Sequence, residues 1–372
     1  MELTLDPSFA RLLPVAQMGL MDIEVLRLIL RGGSVVDWRR LNFHDRDDVD
    51  RFLRLSLFDP GDPKDIERLR DILGKSVAYL RSSFRYRVAE AVAAPNEIHD
   101  LFLMASGRFQ PQRYRRIACI VLKVMHCIHH VEARELLFQA KLAEADFQAR
   151  VDARVANMAK QMLASGLPLV EFQGNMKTRD SLITKVLSKK ETLAAQIYDK
   201  VRYRIITRSL EDVLPVLHNL AHHLFPFNFV VPGQTQNSLI DFRQLVEGTP
   251  SLRKFIPRLE VDLDLERRED HERRRAGDMN NFTADGYRVL NFVADIPIRL
   301  DAWIQPDADG HFPNGRVAFG LVEFQIMDEA TAHENELGDA NHELYKNRQK
   351  QRVLRRLSRG LVVPKKRTTE AS

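Results

Sequence analysis

The sequence contains no run of about twenty apolar residues that would span a bilayer. Its opening residues, Met1-Glu2-Leu3-Thr4, lack the basic and apolar stretches of a secretory signal. Both absences predict a cytoplasmic protein with no membrane partner. Cysteine is almost missing, since Cys119 and Cys127 are the only two. They fall in one helical pattern, roughly 12 Å apart along the axis, too far to bridge, and are expected to be small core residues in a reduced compartment. Neither sign of charge dominates: 56 Lys and Arg against 51 Asp and Glu leave a net charge of +5, which suits phosphate-bearing partners and is also ordinary for a soluble enzyme. What is present, 44% apolar and 29% charged residues over a 372-residue chain, is enough for two ordinary domains and excludes general disorder.

Residues 1–165 read as an all-helical module. Ile23, Leu26, Ile29 and Leu30 make an apolar stripe that Gly32-Gly33 stops, and Pro63 suits a first helical turn. Ile117 to Phe138 predicts a long helix, and Phe147, Val151, Val155, Met158 and Met162 predict another, ending near Ser165-Gly166-Leu167-Pro168. The pairs His44-Asp45 and His99-Asp100 are expected at helix N-termini. His126 and His130 lie one turn apart, but Lys123 and Arg134 share their face, so no metal is expected there.

Beyond Pro168 short strands begin to alternate with helices, which predicts a mixed β-sheet flanked by helices and an α+β chain overall. Strands are expected at 169–172, 197–207, 227–231, 287–295 and 298–304, with helices at 177–187 and 210–224. The turn-rich segment from Pro306 to Gly315 leads as a hairpin into the strand Gly320-Leu321-Val322-Glu323-Phe324-Gln325-Ile326. The resulting division is a helical module at 1–165, a second domain at 166–360 with an insertion at 233–285, and a basic, disordered tail at 361–372. Residues 266–275 of the insertion carry dense mixed charge, expected as a solvated or mobile segment, with a lid or nucleic-acid-facing arm as the functional alternative.

Four stretches of the second half can build one site. Lys177, Ser181 and Lys185 recur every four residues, and two ammoniums flanking a hydroxyl on one helical face make a polyphosphate grip. Asp199 and Arg204 lie on the 197–207 segment. Alternation puts Glu323 and Gln325 on one face of their strand, where a charged and an amide group need water, a metal or a ligand as partner. Asp199 and Glu323, on different strands, have the chemistry of ligands for a hard cation such as Mg2+. The helix that follows carries Glu336, Gly338, Ala340, His342, Tyr345 and Lys346 toward the same end of the sheet.

In this order the segments resemble the synthetase domain of the RelA/SpoT family, which makes the (p)ppGpp alarmones. Lys177-Thr178-Arg179-Asp180-Ser181-Leu182-Ile183-Thr184-Lys185 is similar to the family's K-S-x-x-S-I-x-x-K, and Asp199 to Ile205 to its D-x-x-G-x-R-I. Gly286-Tyr287 is similar to its G-Y-x-S-x-H, Val322 to Ile326 to its V-E-x-Q-I-R-T, and Glu336 to Lys346 to its E-x-G-x-A-x-H-x-x-Y-K. The resemblance covers about residues 169–350 and implies a nucleotidyltransferase-like fold. It also implies an ATP-dependent pyrophosphokinase that moves the β,γ-pyrophosphoryl group to a ribose 3′-hydroxyl. On that reading Lys177, Ser181, Lys185 and Arg204 hold the ATP phosphates, Asp199 and Glu323 bind Mg2+, and Glu323 assists deprotonation of the hydroxyl. Tyr287 stacks on the acceptor base, with Asn291, Gln325, His342 and Lys346 on the same acceptor side.

The departures from the pattern cluster on the acceptor side. Arg202 stands where the family has glycine, Val289 and Asn291 where it has Ser and His, Met327-Asp328 where it has Arg-Thr, and Thr283-Ala284-Asp285 where a lysine is expected. An altered acceptor follows. One alternative is transfer to an RNA 3′ end such as that of tRNA, which the basic segments at 266–275 and 352–367 would serve. Another is a catalytically dead nucleotide sensor with the helical half as an interaction platform. Sequence leaves the acceptor and the oligomeric state open.

Overall fold

In the computed structural model the described residues are 7–33, 41–109, 111–176, 179–188, 201–259, 287–308, 310, 312–337, 350–351, 353–355 and 357–358. Among them, helices α1 (Leu20–Arg31), α2 (Arg46–Leu55), α3 (Pro63–Phe84), α4 (Glu90–Ala93), α5 (Ile98–Ala105), α6 (Arg113–Gln139) and α7 (Glu144–Ala164) precede the sheet. Then follow β1 (Leu169–Met176), α8 (Arg179–Ser188), β2 (Val201–Thr207), α9 (Val213–His223), β3 (Gln236–Asn237), α10 (Phe242–Gly248), β4 (Leu290–Arg299), β5 (Val317–Asp328) and α11 (Glu329–Leu337). The chain is α+β, as its sequence predicts.

Local chemistry accounts for the helix ends. Gly32 closes α1 in the left-handed region at φ +64°, where a side chain would be strained. Asp62 caps α3 by accepting from the Lys64 amide, with Pro63 at the first turn. Asp45 caps α2 through the Asp48 amide, and the Asp100 carboxylate accepts from the Glu97 amide at the start of α5, so both His-Asp pairs do sit at helix N-termini. Cys119 is half-buried on α6, but Cys127 is exposed, contrary to the expected core position. No helix among the described residues is long and apolar enough to cross a membrane.

The sheet order is β1-β2-β5-β4-β3, with β2 and β5 parallel and the other pairs antiparallel. One face is apolar. Phe172, Tyr203, Phe324 and Phe292 run across it, with the Phe292 and Phe324 rings stacked at 5.3 Å. Helix α7 packs on this face, and Gly320 lets it approach: a Cβ there would lie 2.2 Å from Val151 Cγ2. The Tyr203 hydroxyl donates to Asp152 Oδ1 at 2.7 Å, giving a buried phenol its partner on α7. On the opposite face α6 covers the far end of the β4–β5 hairpin, where the His130 ring stacks on Phe319 at 4.3 Å and its Nε2 lies 3.3 Å from Asp295. The buried apolar cluster is continuous from the helices of the first half into the sheet.

Four expected elements differ. Strand β1 runs on to Met176 rather than ending at 172. Residues 227–229 form a 3-10 turn, and Val230 makes a single bridge to Ala294, because Phe229 is held against His130 and Phe319 instead of in a ladder. The two strands expected at 287–295 and 298–304 are one strand, β4. Pro297 does not break it: the Leu300 amide points into the β5 ladder, so by alternation the Pro297 nitrogen points away from it and no ladder bond is lost. The first part of the expected insertion holds β3 and α10, and Leu239, Phe242 and Val246 are buried there. Residues 266–275 and the expected tail at 361–372 lie outside the described residues.

Candidate active site

The part of the sheet that α6 leaves uncovered is polar, and strand register builds it. Parallel pairing of β2 with β5 sets Arg202 opposite Glu323 and Arg204 opposite Gln325, while antiparallel β4 sets Asn291 opposite Gln325. Gln173 on β1 and Gln236 on β3 extend that row across the five strands. Alternation keeps the row on the face opposite the aromatic core.

Glu323 is the centre of the arrangement. It is 6% exposed; its Oε2 accepts from Arg202 Nε at 2.7 Å and its Oε1 from Asn291 Nδ2 at 2.9 Å. A buried carboxylate requires such compensation, and here it comes from two of the residues that depart from the family pattern. The Asn291 Oδ1 atom is buried and has no hydrogen-bond partner, so a donor from a ligand would find an acceptor there. Arg204 Nη2 donates to Glu336 Oε1 at 2.9 Å, tying β2 to α11. Burial pushes the Tyr287 phenol above its ordinary pKa, while the charges of Arg202 and Arg204 oppose the shift and that of Glu323 adds to it. Tyr287 is therefore close enough to feel all three charged groups.

Asn335, which sequence reasoning missed, positions this end of the site. Its Oδ1 accepts from the Arg288 amide at 3.1 Å and its Nδ2 donates to the Arg288 carbonyl at 2.8 Å, pinning the segment after Tyr287 to α11. Only its place one residue before Glu336 could have drawn attention to it. Three of the remaining departures have structural roles, while Thr283-Ala284-Asp285 lie outside the described residues. Val289 and Met327 are buried, and Asp328 accepts from the Thr331 amide and hydroxyl at the start of α11.

Of the expected site residues, the structure brings together Arg204, Tyr287, Asn291, Glu323 and Gln325. Ser181 lies exposed on α8. That helix is described from Arg179 onward, so the expected face of Lys177, Ser181 and Lys185 falls partly outside the described residues. Lys177, Asp199, His342 and Lys346, and the side chain of Lys185, lie outside the described residues. The Mg2+ that the resemblance implies therefore has one described ligand, Glu323. Each Glu323 oxygen accepts a hydrogen bond, a carboxylate oxygen has a second lone pair for a cation, and the Arg202 guanidinium sets a positive charge beside one of the two.

No family model matches the chain, and no curated protein does. Among solved structures it is similar to the small alarmone synthetase 2 from Bacillus subtilis, with 17% identity, 60% of this chain and 86% of that chain covered, and a TM-score of 0.29. It is also similar to the small alarmone synthetase 1 from Bacillus subtilis bound to its product pppGpp, with 14% identity, 56% and 84% covered, and a TM-score of 0.29. A GTP pyrophosphokinase family protein from Streptococcus pneumoniae is matched at 14% identity, with 58% and 83% covered and a TM-score of 0.27. At these TM-scores the likeness carries no inference about the site.

Proposed function

We propose that this chain is a nucleotide pyrophosphokinase of the alarmone-synthetase type, acting on ATP and a second nucleotide. The observation that supports this most is that three separated motif segments, carrying Arg204, Asn291 and Glu323-Gln325, meet on one polar patch beside Tyr287. The reaction would break the bond between the β-phosphorus of ATP and the oxygen bridging it to the α-phosphorus. A new bond would form to the acceptor's 3′-oxygen, releasing AMP and the hydroxyl proton. Such transfers depend on positioning and on positive charge at the phosphates. Arg204, with Lys177, Ser181 and Lys185 as the resemblance assigns them, would hold the donor. Tyr287 would stack on the acceptor base. Arg202 places a guanidinium beside the carboxylate that the resemblance gives to a metal, and it would add positive charge at the phosphates.

A second reading is favoured by the same bonds. With Arg202 and Asn291 each holding one oxygen of Glu323, the chain would bind nucleotide without transferring it. One experiment separates the two. ATP labelled in the γ position is offered with GDP, GTP, ADP, ATP and bulk tRNA to the wild type and to Arg202→Gly, alongside an ATP titration of each. Labelling of a free nucleotide by the wild type supports the first reading, and labelling by Arg202→Gly alone identifies a kinase restrained by Arg202. ATP binding without labelling in either protein supports the second. Labelling of tRNA alone makes the acceptor RNA, and absence of ATP binding removes both readings.

A further inference from the structure

Away from the polar patch, α1 and α9 meet at three side chains that no nucleotide chemistry uses. His218 and His222 stand one turn apart on α9, and their rings stack at 3.9 Å between centroids. Asp22, in the first turn of α1, faces both: its Oδ1 is 2.9 Å from His218 Nε2 and 3.8 Å from His222 Nε2. We propose that Asp22, His218 and His222 form a binding site for a divalent transition-metal ion of the zinc class, which would tie α1 to α9.

The geometry argues for this in three ways. First, tetrahedral zinc bound at 2.0–2.1 Å by nitrogen and oxygen holds its ligand atoms about 3.3 Å apart. The two observed separations from Asp22 Oδ1 lie on either side of that value, and all three donor atoms lie within 4.8 Å of one another. Second, the ligand atoms are already oriented. His222 Nδ1 is 2.8 Å from the His218 carbonyl, which requires the proton on Nδ1 and leaves the Nε2 lone pair toward Asp22. The other oxygen of Asp22 accepts from the Gly19 amide at 2.8 Å, which fixes the carboxylate with Oδ1 toward the imidazoles. Third, access exists: the His222 side chain is 43% exposed, so an ion can enter at its edge and keep a water in a fourth position. Imidazole with carboxylate favours zinc, nickel, copper or iron over magnesium or calcium. Binding at His218 Nε2 shifts the single proton of that neutral imidazole to Nδ1, and nothing is oxidised or reduced. Among the described residues this is the one group of three His, Cys, Asp or Glu donors close enough for such an ion.

The test uses the full chain, stripped with chelator and then dialysed against Zn2+. One ion per chain is expected, with a rise in Tm on loading. His222→Gln should weaken binding by about tenfold or more while leaving the metal-free Tm unchanged, because it spares the Asp22–His218 bond and the cap at Gly19. Cys127→Ser removes an exposed thiol that could bind zinc by itself and should change nothing. Loading below one ion per chain, equal binding by His222→Gln, or loss of binding in Cys127→Ser would each overturn the proposal. If Asp22→Asn proves unstable for lack of its cap, the His222→Gln result still decides.

Discussion

The bond between Arg202 and Glu323 can be weighed by a double-mutant cycle. The Glu323 side chain is 8% exposed and the Arg202 side chain 29%, with 2.7 Å between Nε and Oε2. At an effective dielectric of about 20 their attraction is on the order of 6 kcal/mol, most of it offset by desolvation. Breaking a buried pair from one side costs about 3–5 kcal/mol because a charge is left behind. Arg202→Met does this to Glu323, which would keep the Asn291 amide, and the partly exposed position admits some water. The expected loss is therefore near the low end, about 3 kcal/mol. Glu323→Gln leaves Arg202 partly solvated and should cost about 1–2 kcal/mol. In the double variant no buried charge is orphaned, so its cost should stay near about 2 kcal/mol and the coupling should exceed about 2 kcal/mol. Urea unfolding of the four proteins with equal m-values measures this. A coupling within about 0.5 kcal/mol of zero would refute the account of Glu323 as a carboxylate dependent on its guanidinium.

Three further outcomes are expected. Tyr203→Phe removes the hydroxyl that donates to Asp152 and should destabilise by about 1–2 kcal/mol in the same unfolding assay; no change would remove this tie between β2 and α7. Gly320→Ala should cost about 1–3 kcal/mol through overpacking against Val151, and Val151→Ala should recover part of it; additive losses would place the strain elsewhere. Burial pushes His126 and His129 well below the ordinary imidazole pKa. The folded state therefore stays neutral where the unfolded chain takes up protons. Stability should be fully present above about pH 6.5 and fall as the pH drops below it, and a urea midpoint that holds or rises on acidification would contradict this.

What the sequence made legible was local. Alternation placed Glu323 and Gln325 on one face, Gly32 and Pro63 marked helix ends, and the apolar spacing of Val151, Val155 and Met162 announced α7. Pairing was not legible, because the parallel register that sets Arg202 against Glu323 joins segments far apart in the chain and leaves no local pattern. The continuity of β4 through Pro297 was not legible for a related reason: whether a proline breaks a strand depends on which edge its nitrogen faces, and that follows from the partner strand. The aromatic run at 227–231 has strand composition, yet Phe229 is spent on packing against His130.

Two departures from the synthetase pattern, Arg202 and Asn291, look unrelated when read along the chain but meet in space at Glu323. Arg202 and Asn291 take separate oxygens of Glu323, so neither can replace the other. Removing Arg202 alone takes the guanidinium from one oxygen and leaves the second with the Asn291 amide. Asn291, in turn, would keep its own buried and unpartnered Oδ1. Farther along the same face of β5, Met327 is buried within 3.6 Å of the Asn335 amide, which holds the Tyr287 end through the Arg288 backbone. An arginine at 327 would put a charge into that buried contact. Restoring the family's residue there is thus a packing problem before it is a question of acceptor binding, whereas Arg202 lies on the exposed side of its pair. If transfer activity is restrained in this chain, position 202 is where a single change can release it without disturbing the core.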